Sequence, residues 1–159
     1  LLYSPRWLFL YPGAAMMMAG LILGARLLVG PIRIGDVVLD IHTLLYSAIA
    51  VVIGFQAIIF SIFTRVFACN EGLLPESIHL KSVVRFINLE AGLVVGIALV
   101  VAGLAASVYE VSTWSAGSFG PLEPTKTLRV IIPAVTALAL GCQIVLSSFF
   151  LSVLALKRR

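Results

Sequence analysis

The chain has 159 residues, of which 61% are hydrophobic and 11% charged, with a net charge of +4 and a mean hydropathy of +1.13. Soluble domains carry about 25% charged residues, and a water-soluble fold of this size cannot hide so much apolar surface. A soluble globular domain is therefore excluded, and a single transmembrane domain over residues 1–159 is expected.

Four stretches are long and apolar enough to cross a bilayer as helices, which takes about 20 residues. They run from about 8 to 29, 43 to 67, 89 to 108 and 130 to 156. Helix is expected because lipid offers the backbone no hydrogen-bond partner, and the unbroken apolar runs do not alternate as barrel strands do. The fold class is an all-α membrane protein. In the first run Pro12-Gly13 predicts a kink or a late helix start. Tyr3, Trp7 and Tyr11 form an aromatic belt at its entry, as Tyr109 and Trp114 do after the third run. Arg26, near the far end of the first helix, can snorkel to the interface or serve an ion path. Asp36, Asp40 and His42 follow. Asp40 is placed to cap the second helix, His42 suits an interfacial hydrogen bond, and a metal site there would need more ligands. Pro133 falls in the first turns of the fourth helix, where proline is tolerated.

The stretch from 64 to 88 is the most informative polar segment. From Ile78 onward, Leu80, Val83, Val84 and Ile87 recur at helical spacing with Lys81, Ser82 and Arg85 between them. This predicts a short amphipathic helix in the membrane interface. Arg65, Lys81 and Arg85 could there hold a lipid phosphate, and ordinary anchoring to anionic headgroups explains the same charges.

Basic residues set the orientation. Arg6, Arg65, Lys81, Arg85, Lys157, Arg158 and Arg159 fall on one side, against Arg33, Lys126 and Arg129 on the other. The positive-inside rule places both termini and the 64–88 loop in the cytoplasm. The net positive charge is thus assigned to orientation and anionic lipid, not nucleic acid.

Two segments match at a fixed offset. Gly54-Phe55-Gln56 with Ser61 and Phe63 aligns with Gly141-Cys142-Gln143 with Ser148 and Phe150, and upstream, after a three-residue gap, Gly30-Pro31 parallels Gly120-Pro121. The chain thus reads as two duplicated hairpins related by an axis along the membrane normal. Gly20 and Gly24, and Gly92 and Gly96, have the GxxxG spacing of close helix contacts. Gln56 and Gln143 fall near mid-membrane, either as interhelical polar contacts or as a polar site on a substrate path. Cys69 and Cys142 are expected as free thiols. The sequence holds no Gly-rich phosphate loop, no HExxH, no CxxC and no Ser/His/Asp set, so no catalytic residue is assigned.

Several blocks resemble the membrane region that follows the catalytic domain in bacterial family 2 glycosyltransferases of the dolichol- or polyprenyl-phosphate mannose or glucose synthase type. They are Ser4-Pro5-Arg6-Trp7-Leu8-Phe9-Leu10-Tyr11-Pro12-Gly13, Leu39-Asp40-Ile41-His42-Thr43, Gly54-Phe55-Gln56, Glu71-Gly72-Leu73-Leu74-Pro75, Phe119-Gly120-Pro121-Leu122, and Gln143 with Leu146-Ser147-Ser148-Phe149-Phe150. They cover essentially the whole chain. One departure is Ala91 in Leu89-Glu90-Ala91-Gly92-Leu93, where a basic residue is expected. The resemblance implies a separate GT-A catalytic domain that moves a sugar from a nucleotide sugar to polyprenyl phosphate and holds any divalent metal. It implies that this chain anchors that domain, assembles a homo-oligomer and presents the lipid, in a bacterial inner membrane. No cofactor is expected in the chain itself. A small transporter or lipid flippase subunit, motivated by the duplicated hairpins and the paired glutamines, and a purely structural oligomerisation module are the competing readings. The first residue, Leu1, is not Met and no signal peptide is visible, so a longer gene upstream is expected.

Overall fold

The computed structural model describes residues 6–72, 89–116 and 123–155. Four of its helices are long and apolar enough to cross a membrane. They are α1 (Tyr11–Val29), α2 (Ile41–Asn70), α3 (Leu89–Ala116) and α4 (Pro124–Ala155). A π-helical turn, Arg6–Leu10, leads into α1, and Pro12 sits in its first turn. The late helix start expected of Pro12 is not seen: the helical path already runs from Arg6, and it is the π-helical turn before Pro12 that departs from regular α-helix. Outside proximal packing, most long apolar side chains face outward, for example Ile22, Val94 and Val153. That is the arrangement a bilayer stabilises and water does not.

α1 packs antiparallel on α2 through positions with little or no side chain. A Cβ on Gly13 would lie 2.9 Å from the Gly54 carbonyl oxygen, and a Cβ on Gly54 would lie 2.6 Å from that of Gly13. One turn pair further, a Cβ on Gly20 would meet the Ser47 carbonyl at 2.6 Å and the Val51 nitrogen at 3.0 Å. α3 packs on α4 through the same set of contacts. A Cβ on Gly96 would lie 2.9 Å from the Gly141 carbonyl oxygen and 3.1 Å from the Val145 nitrogen, and one on Gly103 would lie 2.7 Å from the Ala134 carbonyl oxygen and 3.1 Å from the Leu138 nitrogen. Each contact maps onto its counterpart by one shift for the first helices, 83 residues (96 minus 13), and one for the second, 87 residues (141 minus 54). The duplication read from Gly54-Phe55-Gln56 and Gly141-Cys142-Gln143 is therefore a duplication of backbone contacts.

The hairpins meet along α2 and α4, which run in parallel. Asp40 pairs with Arg129 at one end, Phe63 with Phe150 in an edge-on ring contact at 4.6 Å, and the Asn70 side chain donates to the Leu154 carbonyl at the other end. The Asn70–Leu154 bond thus ties the far ends of the described parts of α2 and α4 together. Parallel α2 and α4 are what a repeat about the membrane normal requires.

A short antiparallel β-hairpin, β1 (Ile32–Ile34) and β2 (Val37–Leu39), joins α1 to α2. It turns through Gly35-Asp36, with Gly35 at a φ of 60°. Ile32 and Leu39 lean on the buried Leu27, Leu44 and Ile132 cluster, so the hairpin covers one end of the bundle. The apolar alternation around a Gly-Asp pair is a hairpin signal that the hydropathy reading passed over.

Three further expectations are corrected. Asp40 holds the N-cap position of α2, but its side chain makes no capping bond; the carboxylate is drawn to Arg129 instead. α4 starts at Pro124, with proline suited to a helix start, so Pro133 lies inside the helix rather than in its first turns. α3 continues past 108 to Ala116, because hydropathy marks only the apolar part of a helix; the hydroxyls of Ser112 and Thr113 are accommodated there by donating to the Tyr109 carbonyl, at 2.7 and 2.9 Å.

Candidate functional site

The α2–α4 seam gathers most of the polar groups singled out by sequence. On one face of the bundle three adjoining cavities, about 340, 370 and 800 Å³, follow the seam. The first two share Val52 and Ile53, and the last two share Gln56, Phe60 and Gln143. Together they form one groove from Leu45 and Leu128 at the β-hairpin end to Phe67 and Leu154 at the other. The span from Leu45 to Phe67 is roughly 33 Å at the helical rise, close to a bilayer's hydrocarbon thickness. Its walls are overwhelmingly apolar.

Gln56 and Gln143 stand at the middle of this groove and at equivalent positions of the repeat. The Gln143 side-chain oxygen is buried and has no hydrogen-bond partner in the structure. Gln56 is exposed to the groove. The amides therefore sit in an apolar furrow on the outer side of the bundle, not around a polar cavity within it. Phe60 walls the groove beside them and is braced by an edge-on contact with Phe9 at 5.0 Å.

At the β-hairpin end, Arg129 Nη2 donates to Asp40 Oδ1 at 2.6 Å. Both side chains are mostly covered, at 22% and 32% exposure, and Arg129 Nε has no partner. The pair joins residues remote in sequence, so local pattern reading could not have found it. His42 and Asp36 are exposed nearby, and no group of three metal-ligating side chains occurs among the described residues.

At the other end, Arg65 lies on α2 and is partly buried, adjacent to the groove-lining Thr64. Lys81, Arg85 and the amphipathic segment from Ile78 to Ile87 lie outside the described residues. Arg26 occupies the last turn of α1 and is exposed, and neither cysteine is in a disulfide.

Comparison with curated proteins and with solved structures gives no match. Residues 62–155, more than half of the chain, match the family described as the glycosyltransferase family 2 C-terminal transmembrane region. That span starts in the last third of α2 and takes in α3 and α4, including Arg65, the Phe63–Phe150 contact and Gln143. On this match and the four-helix membrane architecture it accompanies, the chain belongs to the family of family 2 glycosyltransferase C-terminal transmembrane regions.

Proposed function

We propose that this chain anchors and orients a catalytic domain that transfers a sugar from a nucleotide sugar to polyprenyl phosphate, and that it presents the lipid's phosphate to that domain. The family match over residues 62–155 is the observation that carries the reading. The chemistry itself belongs to the catalytic domain, with its divalent metal, since this sequence offers no acidic metal-binding pair or nucleophile set of its own. Both termini and the 64–88 loop face the cytoplasm of a bacterial inner membrane, on the strength of the basic-residue bias. Arg65, Lys81 and Arg85 lie at that face and attract the lipid phosphate, each basic residue near an anionic surface contributing about 1 kcal/mol.

The test is the full-length enzyme with Arg65→Gln, Lys81→Gln and Arg85→Gln combined. The apparent KM for polyprenyl phosphate should rise by a factor of about ten or more, with the KM for the nucleotide sugar unchanged. An unchanged lipid KM would leave a structural module as the better reading. A transport role is motivated by the duplicated hairpins and the paired glutamines, but the glutamines line an apolar groove rather than a polar path.

A further inference from the structure

We infer that the β-hairpin between α1 and α2 is an interfacial anchor, whose tip residues Ile34 and Val37 seat on the lipid surface at the Asp40–Arg129 end of the bundle. The inference goes beyond the proposed function and holds whichever leaflet faces the cytoplasm. Three observations lead there.

The first is the difference between the hairpin's two faces. Ile32 pairs with Leu39, Arg33 with Val38 and Ile34 with Val37. Side chains alternate across a strand, so Ile32, Ile34, Val37 and Leu39 share one face, and Arg33 and Val38 share the other. Every residue of the first face is apolar. Its base pair, Ile32 and Leu39, is half-buried against the Leu27, Leu44 and Ile132 cluster. Its tip pair, Ile34 and Val37, continues that face but stands 63% and 59% exposed. The apolar face is thus longer than the part of the bundle that covers it. A lone two-stranded hairpin is marginal in water, so an uncovered apolar tip is a cost unless lipid removes it from water.

The second is depth. α1 with its lead-in turn, Trp7–Val29, has 23 residues. That is about 34 Å at the helical rise, against about 30 Å of hydrocarbon. With Trp7 as an interfacial aromatic at one boundary, Val29 falls at the other. Only Gly30 and Pro31 separate Val29 from the hairpin, and only Asp40 separates the hairpin from α2. The tip pair lies two strand residues beyond the base pair, about 7 Å. The headgroup layer is itself about 5–8 Å deep. Even a hairpin standing upright therefore keeps Ile34 and Val37 within reach of lipid.

The third is the surface that the tip adjoins. Leu28 and Val29 at the end of α1, and Leu45 and Tyr46 at the start of α2, are all exposed. In a membrane-spanning pair of helices that surface faces lipid, and Tyr46 is of the amphipathic type that settles at the boundary. Ile34 and Val37 extend this apolar surface past the helix ends. Arg26 and Arg33, also exposed, bring positive charge to the same level, where anionic headgroups attract it. Apolar side chains on one face with a basic residue on the other is the division that an interfacial element needs.

The experiment uses the full-length protein in liposomes of phosphatidylethanolamine and phosphatidylglycerol, with Cys69→Ser and Cys142→Ser as background. A nitroxide is attached singly through Arg33→Cys, Ile34→Cys, Val37→Cys or Val38→Cys. Its collisions with oxygen, which partitions into lipid, are compared with those with a neutral nickel chelate, which stays in water. Val37 and Val38 are neighbours of similar exposure, 59% and 54%, on opposite faces. The oxygen-to-nickel ratio should be severalfold higher at Ile34→Cys and Val37→Cys than at Arg33→Cys and Val38→Cys. Water-like ratios at all four positions mean that the hairpin stands clear of lipid, and overturn the anchor. Lipid-like ratios at all four overturn the one-faced seating. Exclusion of both reagents from Ile34→Cys and Val37→Cys assigns the tip to a protein contact, within the chain or with a second copy, and overturns the lipid surface as its partner. None of these outcomes bears on lipid presentation, which the KM test decides.

Discussion

The two hairpins are alike where backbones touch and unlike where the hairpins touch each other. Gly13 with Gly54 and Gly96 with Gly141 make the same approach, and Gly20 and Gly103 meet equivalent carbonyls. Along the seam the correspondence breaks. Asp40 in the first hairpin pairs with Arg129 in the second, while the repeat counterparts of these residues, Thr127 and His42, make no matching pair. Close helix packing leaves no room for a side chain, so both halves need glycine at the same points. The seam has no such restriction, and a two-sided contact holds better when the two sides differ in charge. The repeat thus supplies the architecture, and its asymmetry supplies the lock.

That comparison can be broken most directly at its glycines. Gly54→Leu should destabilise the domain by about 3 kcal/mol or more through overpacking, and Gly141→Leu by a similar amount, measured by unfolding in mixed micelles. A cost at Gly54 several times that at Gly141 would show that the hairpins are not equivalent. Next comes the lock. Asp40→Ala leaves Arg129 half-buried without its anion and should cost about 1–2 kcal/mol. Asp40→Ala with Arg129→Met should recover much of that, because removing both partners leaves no charge uncompensated. Equal costs for the single and double variants would mean that the pair does not join the hairpins. Smaller still is the Phe63–Phe150 contact. A double-mutant cycle to leucine should give a coupling of about 0.5–1.5 kcal/mol. The least effect belongs to Lys126 and Glu123, an exposed pair at 2.6 Å. Lys126→Gln should change stability by under about 0.5 kcal/mol, which contrasts a solvent-side ion pair with the covered one at Asp40.

The four crossings were legible because a run of apolar residues needs no partner to be recognised. Helix ends were not. Hydropathy reports where the bilayer stops, whereas Glu110 to Ala116 and Pro124 to Arg129 continue as helix beyond it. Gln56 and Gln143 stood out because an amide is rare in such a run, and the matching glycine two residues before each revealed the repeat. Arg129 carried no such mark. Its meaning depends on Asp40, which sequence assigns to its own helix end, and only the parallel docking of α2 on α4 brings the two together. Glycine periodicity named the packed faces, but not which glycine met which.

Pro133 gives the lock a mechanical setting. A proline has no N–H, so the carbonyl of Arg129 one turn earlier lacks its intrahelical donor, and the ring presses on that turn. The corresponding place in α2 is Tyr46, which keeps its donor. Of the two seam helices, therefore, α4 alone carries a compliant joint, and that joint lies directly beneath the residue that grips α2. The Arg129–Asp40 ion pair therefore ties to α2 the one turn of α4 that a missing backbone hydrogen bond leaves less held from within.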